Sequence, residues 1–185
     1  MTAKEIRELL EARGVLVFPK VEFTDAEQVA FTKTLGNFAP EGDHGEAVHN
    51  ITLDPKLTSA AEYLKGSLYW HLDGTRNSVP ILASLLSCRV PSPKGTGNTG
   101  FANTYAAYDD LSDSDKKLLH GLRVVHEVGN SFREAVPIPT EEQILRWRTH
   151  PPKVHPLVWH HRSGRKSLVL SNSMGRVIGL DQAES

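Results

Sequence analysis

The stretch of this chain whose residue types are best suited to binding a metal is Trp70-His71-Leu72-Asp73. Side chains of a strand alternate between its two faces, so His71 and Asp73 would project from the same face. One imidazole and one carboxylate are two of the three protein ligands of a facial triad, which holds non-haem Fe(II) and leaves positions open for a co-substrate and O2. The same His-x-Asp spacing arises by chance in many proteins, so the surrounding sequence must decide between the two interpretations.

Short strands and helices are the elements predicted to position this motif. Helices are predicted where a capping residue or an amphipathic stripe occurs: 2–13, 25–35, 105–110, 112–120 and 141–150. Strands are predicted for short apolar runs and for a hairpin around Ser163-Gly164: 15–18, 50–53, 81–90, 122–128, 157–160 and 166–170. Strands and helices do not alternate strictly, which favours an antiparallel sandwich or jelly roll with helices outside it over a doubly wound sheet.

Length and charge narrow the class of protein. The chain has 185 residues, which suits one domain, and its 21 Lys and Arg nearly balance its 22 Asp and Glu. No charge excess therefore favours a nucleic acid or an anionic membrane, and neither a signal peptide nor a membrane span is predicted. A cytoplasmic protein is expected. Cys88, the single cysteine, lies in an apolar run, so it is predicted to be a small buried residue rather than a catalytic thiol.

Six blocks that follow one another along the chain point to one enzyme family. The blocks are Trp70–Thr75 with Val79-Pro80, Gly97–Asn103, Ala106–Leu111, Gly121–His126, His155–Val158 and Gly164–Leu168. Together they resemble the taurine dioxygenase (TauD/TfdA) family of Fe(II)- and 2-oxoglutarate-dependent dioxygenases. The resemblance implies a mainly β fold with flanking helices, namely a double-stranded β-helix (jelly roll) of the clavaminate synthase-like type.

The resemblance also implies roles for individual residues. His71 and Asp73 match the family's first two iron ligands, and Thr99 matches a threonine whose hydroxyl helps to hold the distal carboxylate of 2-oxoglutarate. Without the family, Gly97-Asn98-Thr99-Gly100 is simply a turn; Asn98 also replaces the family's usual Asp. His44 is expected to contact an anionic group of the substrate, with His49 as a competitor, and Gly74 is expected to line the pocket.

The family's third iron ligand and the arginine that pairs with 2-oxoglutarate have no counterpart in residues 1–185. In the family, this second His and this Arg come near the last strands, after the point where the present pattern stops at Val177-Ile178-Gly179. The expectation is therefore a single dioxygenase domain over 1–185 that is incomplete at its C-terminus and lacks the last strands. A short, inactive relative is the alternative.

The function that the resemblance implies is hydroxylation of a small, anionic organic substrate. A sulfonate, a sulfate ester or an aryloxy or alkyl carboxylate is oxidised with Fe(II), 2-oxoglutarate and O2, giving succinate and CO2. Neither a nucleic acid nor a membrane is expected as a partner, and a homo-oligomer is left open. Two alternatives stay open: an inactive relative that serves as a binding or structural domain, and a Zn(II) hydrolase built on His71 and Asp73.

Overall fold

Two units of the chain are distinguished in the computed structural model, which describes residues 1–39, 47–58, 61–181, 183 and 185. One unit comprises Met1–Asn50 and Ala83–Asn103, and the other comprises Ile51–Leu82 and Thr104–Ser185. The expectation of a single domain over 1–185 stays a prediction. In the described residues, no helix is long and apolar enough to cross a membrane.

The first unit contains two helices whose starts are defined by capping boxes. Helix α1 spans Ala3–Arg13 and helix α2 spans Asp25–Leu35, which confirms both predictions. The Thr24 hydroxyl accepts a hydrogen bond from the Glu27 backbone N at 3.3 Å, and the Glu27 carboxylate accepts one from the Thr24 backbone N at 2.8 Å. These two bonds satisfy backbone donors that the first helical turn cannot pair internally.

The segment that follows residue 82 packs on α2 but is not a strand. Arg89 donates to the Asp25 carboxylate at 2.7 Å, and the Gln28 side chain donates to the Leu85 carbonyl at 3.3 Å. The predicted strand 81–90 is wrong, because this segment forms no ladder of backbone hydrogen bonds with the described strands. Alternate residues are half-buried and exposed along it, and Cys88 falls on the exposed side, so the prediction of a buried cysteine is also wrong.

The second unit contains short helices and all five described strands. Three helices precede the first strand and two follow it: α3 Ala61–Leu64, α4 Thr104–Asp109, α5 Asp113–Leu119, α6 Val128–Ser131 and α7 Glu141–Arg148. The strands are β1 Arg123–His126, β2 Lys153–Pro156, β3 Val158–His160, β4 Lys166–Leu168 and β5 Met174–Val177. The predicted elements 105–110, 112–120, 122–128 and 141–150 are thereby confirmed, whereas no strand occurs at 15–18 or 50–53.

The strands form two antiparallel sheets. Strand β1 lies between β2 and β5 in a three-stranded sheet, and β3 pairs with β4 as the predicted hairpin. One extra residue of β5 opposes β1 between the pairs Val124–Val177 and His126–Met174, which is a β-bulge. Helices contain more of the described residues than strands do, although the sequence predicted a mainly β chain.

Two small apolar clusters hold the second unit together. Val124 of β1, Val177 of β5 and Leu157, which lies between β2 and β3, are each at most 7% exposed and pack together. Tyr108 of α4 packs on Val158 and Leu168 of the hairpin. The first cluster joins β1 to β5 at the bulge. It therefore stabilises the backbone that carries the polar groups around the His-x-Asp motif.

Candidate metal centre

The His-x-Asp motif lies between a 3-10 turn, Lys65–Leu68, and the turn 73–76. No described strand includes it, so the prediction that His71 and Asp73 share the face of a strand is wrong in its backbone geometry. The expected proximity is nevertheless present, because the His71 Nε2 and Asp73 Oδ1 atoms are 3.3 Å apart. The turn that begins at Asp73 therefore brings together the two side chains that strand alternation was expected to align.

The second ring nitrogen of His71 is held by the backbone. His71 Nδ1 lies 2.7 Å from the carbonyl oxygen of Tyr69, which can only accept, so Nδ1 carries a proton and donates it. In metal sites, a ligating histidine usually has its other nitrogen fixed in this way. Because Nδ1 is occupied, Nε2 is the nitrogen that can donate a lone pair, and Nε2 is the atom that faces Asp73.

The spacing of these two atoms suits a shared metal ion. Two ligand atoms that are each about 2.1 Å from one ion and about 90° apart are separated by about 3 Å. The observed 3.3 Å is close to that value, and the side chains of His71 and Asp73 are 36% and 49% exposed, so an ion can reach both. An imidazole nitrogen and a carboxylate oxygen are also ligands that Fe(II) accepts, so the pair fits Fe(II) by geometry and by donor chemistry.

The electrostatics of the pair couple metal binding to proton release. The Asp73 carboxylate, by accepting a hydrogen bond, raises the pKa of His71; partial burial opposes this, while the Tyr69 carbonyl and the charge of Asp73 add to it. In the protonated form, both ring nitrogens of His71 donate, one to Tyr69 and one to Asp73. A metal ion that binds Nε2 must displace that second proton.

The described residues contain no group of three His, Cys, Asp or Glu side chains arranged to hold a metal. Of the predicted facial triad, these residues therefore contain the two predicted ligands, His71 and Asp73, and their role as ligands stays a prediction. His44, predicted to contact the substrate, lies outside the described residues, and His49 is described but is exposed. The roles of both histidines stay predictions.

Gly74 has a conformational reason to be glycine. Its φ of +74° is left-handed, and a Cβ atom at this position would lie 2.7 Å from the backbone N of Ile81. The side of Gly74 that a side chain would occupy is therefore filled by Ile81. The structure thus explains the residue type by backbone geometry, and the expected role in lining the substrate pocket stays a prediction.

Thr99 belongs to the first unit, whereas His71 and Asp73 belong to the second. It is exposed and follows Gly97, whose φ is +65°. The hydrogen-bonded turn of this stretch lies before the predicted one, because the Thr96 backbone N donates to the Pro93 carbonyl at 3.0 Å. Gly97 also packs so closely on Ser92 that a Cβ atom there would lie 2.1 Å from the Ser92 hydroxyl oxygen. The role of Thr99 towards 2-oxoglutarate stays a prediction.

The buried side of the His-x-Asp segment contacts residues that sequence reasoning missed. The backbone N of Asn172 donates to the Trp70 carbonyl at 3.1 Å, and the backbone N of Leu72 donates to the Ser171 hydroxyl at 3.3 Å. Asn172 also donates from its side chain to the Gly66 carbonyl at 3.1 Å, which fixes the 3-10 turn in front of the motif. These partners are about a hundred residues away in sequence, and no spacing rule connects them.

Two further histidines of the second unit, His126 and His155, are buried, at 1% and 2% exposure. Their rings form an edge-to-face pair with centroids 5.3 Å apart. His155 also lines a cleft of about 380 Å³ beside β2 and β3, whose other polar lining residues include Arg123 and His160. The lining of this cleft includes neither His71 nor Asp73.

Comparison with known proteins assigns the family. The family model described as "Taurine catabolism dioxygenase TauD, TfdA family" matches residues 1–185. The chain belongs to this family. Enzymes of the TauD/TfdA family are dioxygenases that use Fe(II), 2-oxoglutarate and O2, so the resemblance carried by the six sequence blocks is confirmed.

Two curated relatives within the TauD/TfdA family are named for phenoxy carboxylates. An (S)-phenoxypropionate/alpha-ketoglutarate-dioxygenase from Sphingobium herbicidovorans is 30% identical, over 93% of this chain and 62% of its own length. An alpha-ketoglutarate-dependent 2,4-dichlorophenoxyacetate dioxygenase from Cupriavidus pinatubonensis is 31% identical, over 98% of this chain and 68% of its own length. The chain thus spans about two thirds of the length of these relatives.

A solved structure supports the assignment to TauD/TfdA at the level of the fold. The crystal structure of AAD-2 in complex with Mn(II) and N-oxalylglycine superposes with a TM-score of 0.79 at 30% identity. The match covers 97% of this chain and 66% of AAD-2. The chain therefore has the fold of the corresponding part of a dioxygenase that has been crystallised with a divalent metal.

Proposed function

We propose that this chain provides the first two iron ligands of an Fe(II)- and 2-oxoglutarate-dependent dioxygenase that hydroxylates a small, anionic organic substrate. The double-stranded β-helix is the fold proposed for this enzyme, with the two described antiparallel sheets as parts of it. The observation that carries the proposal is the His71–Asp73 pair, in which Nε2 and Oδ1 are 3.3 Å apart and Nδ1 is occupied by the Tyr69 carbonyl.

In this proposal, each site residue has one task. His71 Nε2 and Asp73 Oδ1 hold Fe(II), and the Tyr69 carbonyl keeps the proton of His71 on Nδ1, away from the metal. When bound, Fe(II) supplies the oxidation of a substrate C–H bond, coupled to conversion of 2-oxoglutarate and O2 to succinate and CO2. Thr99 donates its hydroxyl to the distal carboxylate of 2-oxoglutarate.

The substrate class is proposed from the family and from the two named relatives. Both relatives are named for aryloxy carboxylates, and the TauD branch of the family is named for taurine, a sulfonate. A small organic anion, that is an aryloxy or alkyl carboxylate, a sulfonate or a sulfate ester, is the shared chemistry. Gly74 beside the ligand pair and His44 are the proposed contacts of this substrate.

Succinate formation from 2-oxoglutarate tests the proposal. The enzyme that contains these residues is incubated aerobically with Fe(II), 2-oxoglutarate and a panel of (S)-phenoxypropionate, 2,4-dichlorophenoxyacetate, an alkyl sulfonate and an alkyl sulfate. At least one substrate is expected to stimulate succinate release, and His71→Ala or Asp73→Ala is expected to lower the rate by at least ~100-fold, since loss of a ligand removes the metal. His120→Ala, at an exposed histidine elsewhere, is the matched control and should retain the wild-type rate.

A non-catalytic binding domain is the second candidate, because the described residues provide only two metal-ligating side chains at the site. It predicts that a small anion binds and that no succinate forms with any substrate of the panel. Hydrolysis of an ester that requires Zn(II) but neither O2 nor 2-oxoglutarate would instead support the hydrolase alternative. Either result would overturn the dioxygenase proposal for this chain.

A further inference from the structure

Thr75, which follows the ligand pair closely in sequence, is hydrogen-bonded to buried residues. Thr75, two residues after Asp73, is 4% exposed, and its hydroxyl lies 2.9 Å from the Ser173 hydroxyl. Its carbonyl oxygen accepts a hydrogen bond from His155 Nε2 at 2.7 Å. Thr75 is therefore fixed both through its side chain and through its backbone, by residues that are themselves 2% exposed.

The Ser173 hydroxyl has a second buried partner, His126 Nδ1, at 2.8 Å. The other ring nitrogen of His126, Nε2, is buried and has no hydrogen-bond partner among the described residues. An unpaired N–H is rarely buried, so the proton of the neutral ring is placed on Nδ1, which donates to Ser173. The Ser173 oxygen therefore accepts from His126 and also shares a hydrogen bond with the Thr75 hydroxyl.

His126 stays neutral in this arrangement. Burial, with a smaller contribution from the neighbouring His155, lowers the pKa of His126 from its usual value to about 4. A neutral imidazole has one N–H to give, so the bond between His126 and Ser173 has one direction at neutral pH. That bond fixes the Ser173 oxygen with which the Thr75 hydroxyl pairs.

The backbone of Ser173 is anchored independently of its side chain. Its carbonyl accepts a hydrogen bond from the Glu127 backbone N at 2.9 Å, immediately after β1. The β-bulge of β5 begins at the next residue, Met174. Bulges redirect the side chains beside them, and they are over-represented next to active sites.

The tethered residues alternate with the ligands. Trp70 and Leu72 are bonded to Asn172 and Ser171, and Thr75 is bonded to Ser173, whereas His71 and Asp73 lie between these anchor points. We propose that Ser173, oriented by His126, is a positioning residue for the metal-ligand pair, because it fixes Thr75 and with it the turn that presents Asp73 to His71. This inference rests on the proposed function, in which that pair holds a metal.

Two pairs of variants test the inference in the full chain. Ser173→Ala removes the shared hydroxyl, and Thr75→Val removes its partner at nearly constant volume, while Thr75→Ser retains the hydroxyl and should rescue the effect. Ser167→Ala is the matched control, because Ser167 is also a buried serine (6% exposed) bonded to a histidine, His161 Nε2 at 2.8 Å, in the β3–β4 hairpin.

Affinity for Mn(II) alone, measured by water-proton relaxation, is the first readout. Ser173→Ala and Thr75→Val are expected to weaken Mn(II) binding by about tenfold or more, the usual effect of removing a group that orients a ligand. Thr75→Ser and Ser167→Ala are expected to bind like the wild type. Equal Mn(II) affinity in the wild type, Ser173→Ala and Thr75→Val would overturn the positioning role.

Amide hydrogen exchange of the metal-free chain is the second readout and does not depend on metal binding. The amides of Leu72 and Asn77, which are bonded at 3.3 and 2.9 Å, should exchange faster in Ser173→Ala and Thr75→Val but not in Ser167→Ala. If the wild type bound no Mn(II), the metal assignment would fail, and exchange alone would decide whether Ser173 fixes this turn. Unchanged exchange in Ser173→Ala would overturn the inference.

Discussion

The segment from Trp70 to Thr75 has two sides that differ in almost every physical property. On the outer side, His71 and Asp73 are 36% and 49% exposed and contact each other across 3.3 Å. On the inner side, Thr75 is 4% exposed and belongs to a hydrogen-bonded cluster with Ser173, His126 and His155. The outer side carries the proposed metal ligands, and the inner side carries the buried hydrogen bonds that we propose hold them in position.

This division explains why two polar clusters on opposite sides of one short segment can have different chemistry. Exposed groups keep their charge easily, and the Asp73 carboxylate raises the pKa of His71. Buried groups lose charge, and burial lowers the pKa of His126 to about 4. Substitutions on the outer side should therefore change metal binding and activity, and substitutions on the inner side should change stability as well.

Within the segment from Trp70 to Thr75, the largest expected effect on stability comes from Gly74→Ala, at the boundary between the two sides. A left-handed φ costs a residue with a Cβ about 1–2 kcal/mol, and contact with the Ile81 backbone adds about 1–3 kcal/mol. We expect the free energy of unfolding, measured in urea, to fall by about 2–4 kcal/mol. Gly164→Ala is the matched control, because Gly164 has a similar φ of +85° but no atom within 4 Å of an added Cβ. Equal losses in both variants would show that Ile81 does not restrict Gly74.

The inner side should also make stability depend on pH. Unfolded His126 titrates near pH 6.5, whereas folded His126 titrates near 4, so the unfolded chain binds more protons between these values. We expect this residue to remove up to about 3 kcal/mol of stability as the pH falls from above 6.5 towards 4. The comparison is urea unfolding of the wild type and His126→Gln across this range. A wild-type curve parallel to that of the variant would contradict the buried, neutral state.

The smallest expected effect on stability is on the outer side. Trp70 is 68% exposed, and the bond that holds it, to Asn172, uses its carbonyl oxygen rather than its indole. Trp70→Ala should therefore change the free energy of unfolding by less than about 0.5 kcal/mol. Leu157→Ala, at a residue that is 7% exposed in the apolar cluster, should cost about 2–5 kcal/mol in the same assay. A loss of similar size at Trp70 would place it in the core.

The residues on the outer side of the site were predicted from the sequence, whereas the contacts on the inner side were not. His71 and Asp73 are two residues apart, so their proximity is a local property, although a turn produces it instead of a strand. Thr75 and Ser173 are 98 residues apart, and their contact depends on how β5 and its bulge lie beside β1. No periodicity contains that information, so the link of His126 and His155 to the site could not be predicted from the sequence.

The same distinction separates the correct and the wrong predictions of the fold. Capping boxes at Thr2 and Thr24 and the turn at Gly164 are defined by neighbouring residues, and the elements they delimit are confirmed. The run 81–90 has the apolar composition of a buried strand, but a strand also needs a partner, which composition does not reveal. Strand β5, Met174–Val177, was not predicted, because its glycine and arginine do not have the composition of a strand. It is a strand because it pairs with β1.

The most direct test of the central claim is to identify the ligands of bound Mn(II) by pulsed electron paramagnetic resonance in the chain labelled with 15N-histidine. The account predicts hyperfine coupling to a histidine nitrogen in the wild type, which is lost in His71→Ala and retained in His120→Ala. It also predicts that Asp73→Ala weakens Mn(II) binding. Coupling that persists unchanged in His71→Ala, or failure of the wild type to bind Mn(II), would contradict the assignment of His71 and Asp73 as a metal-binding pair.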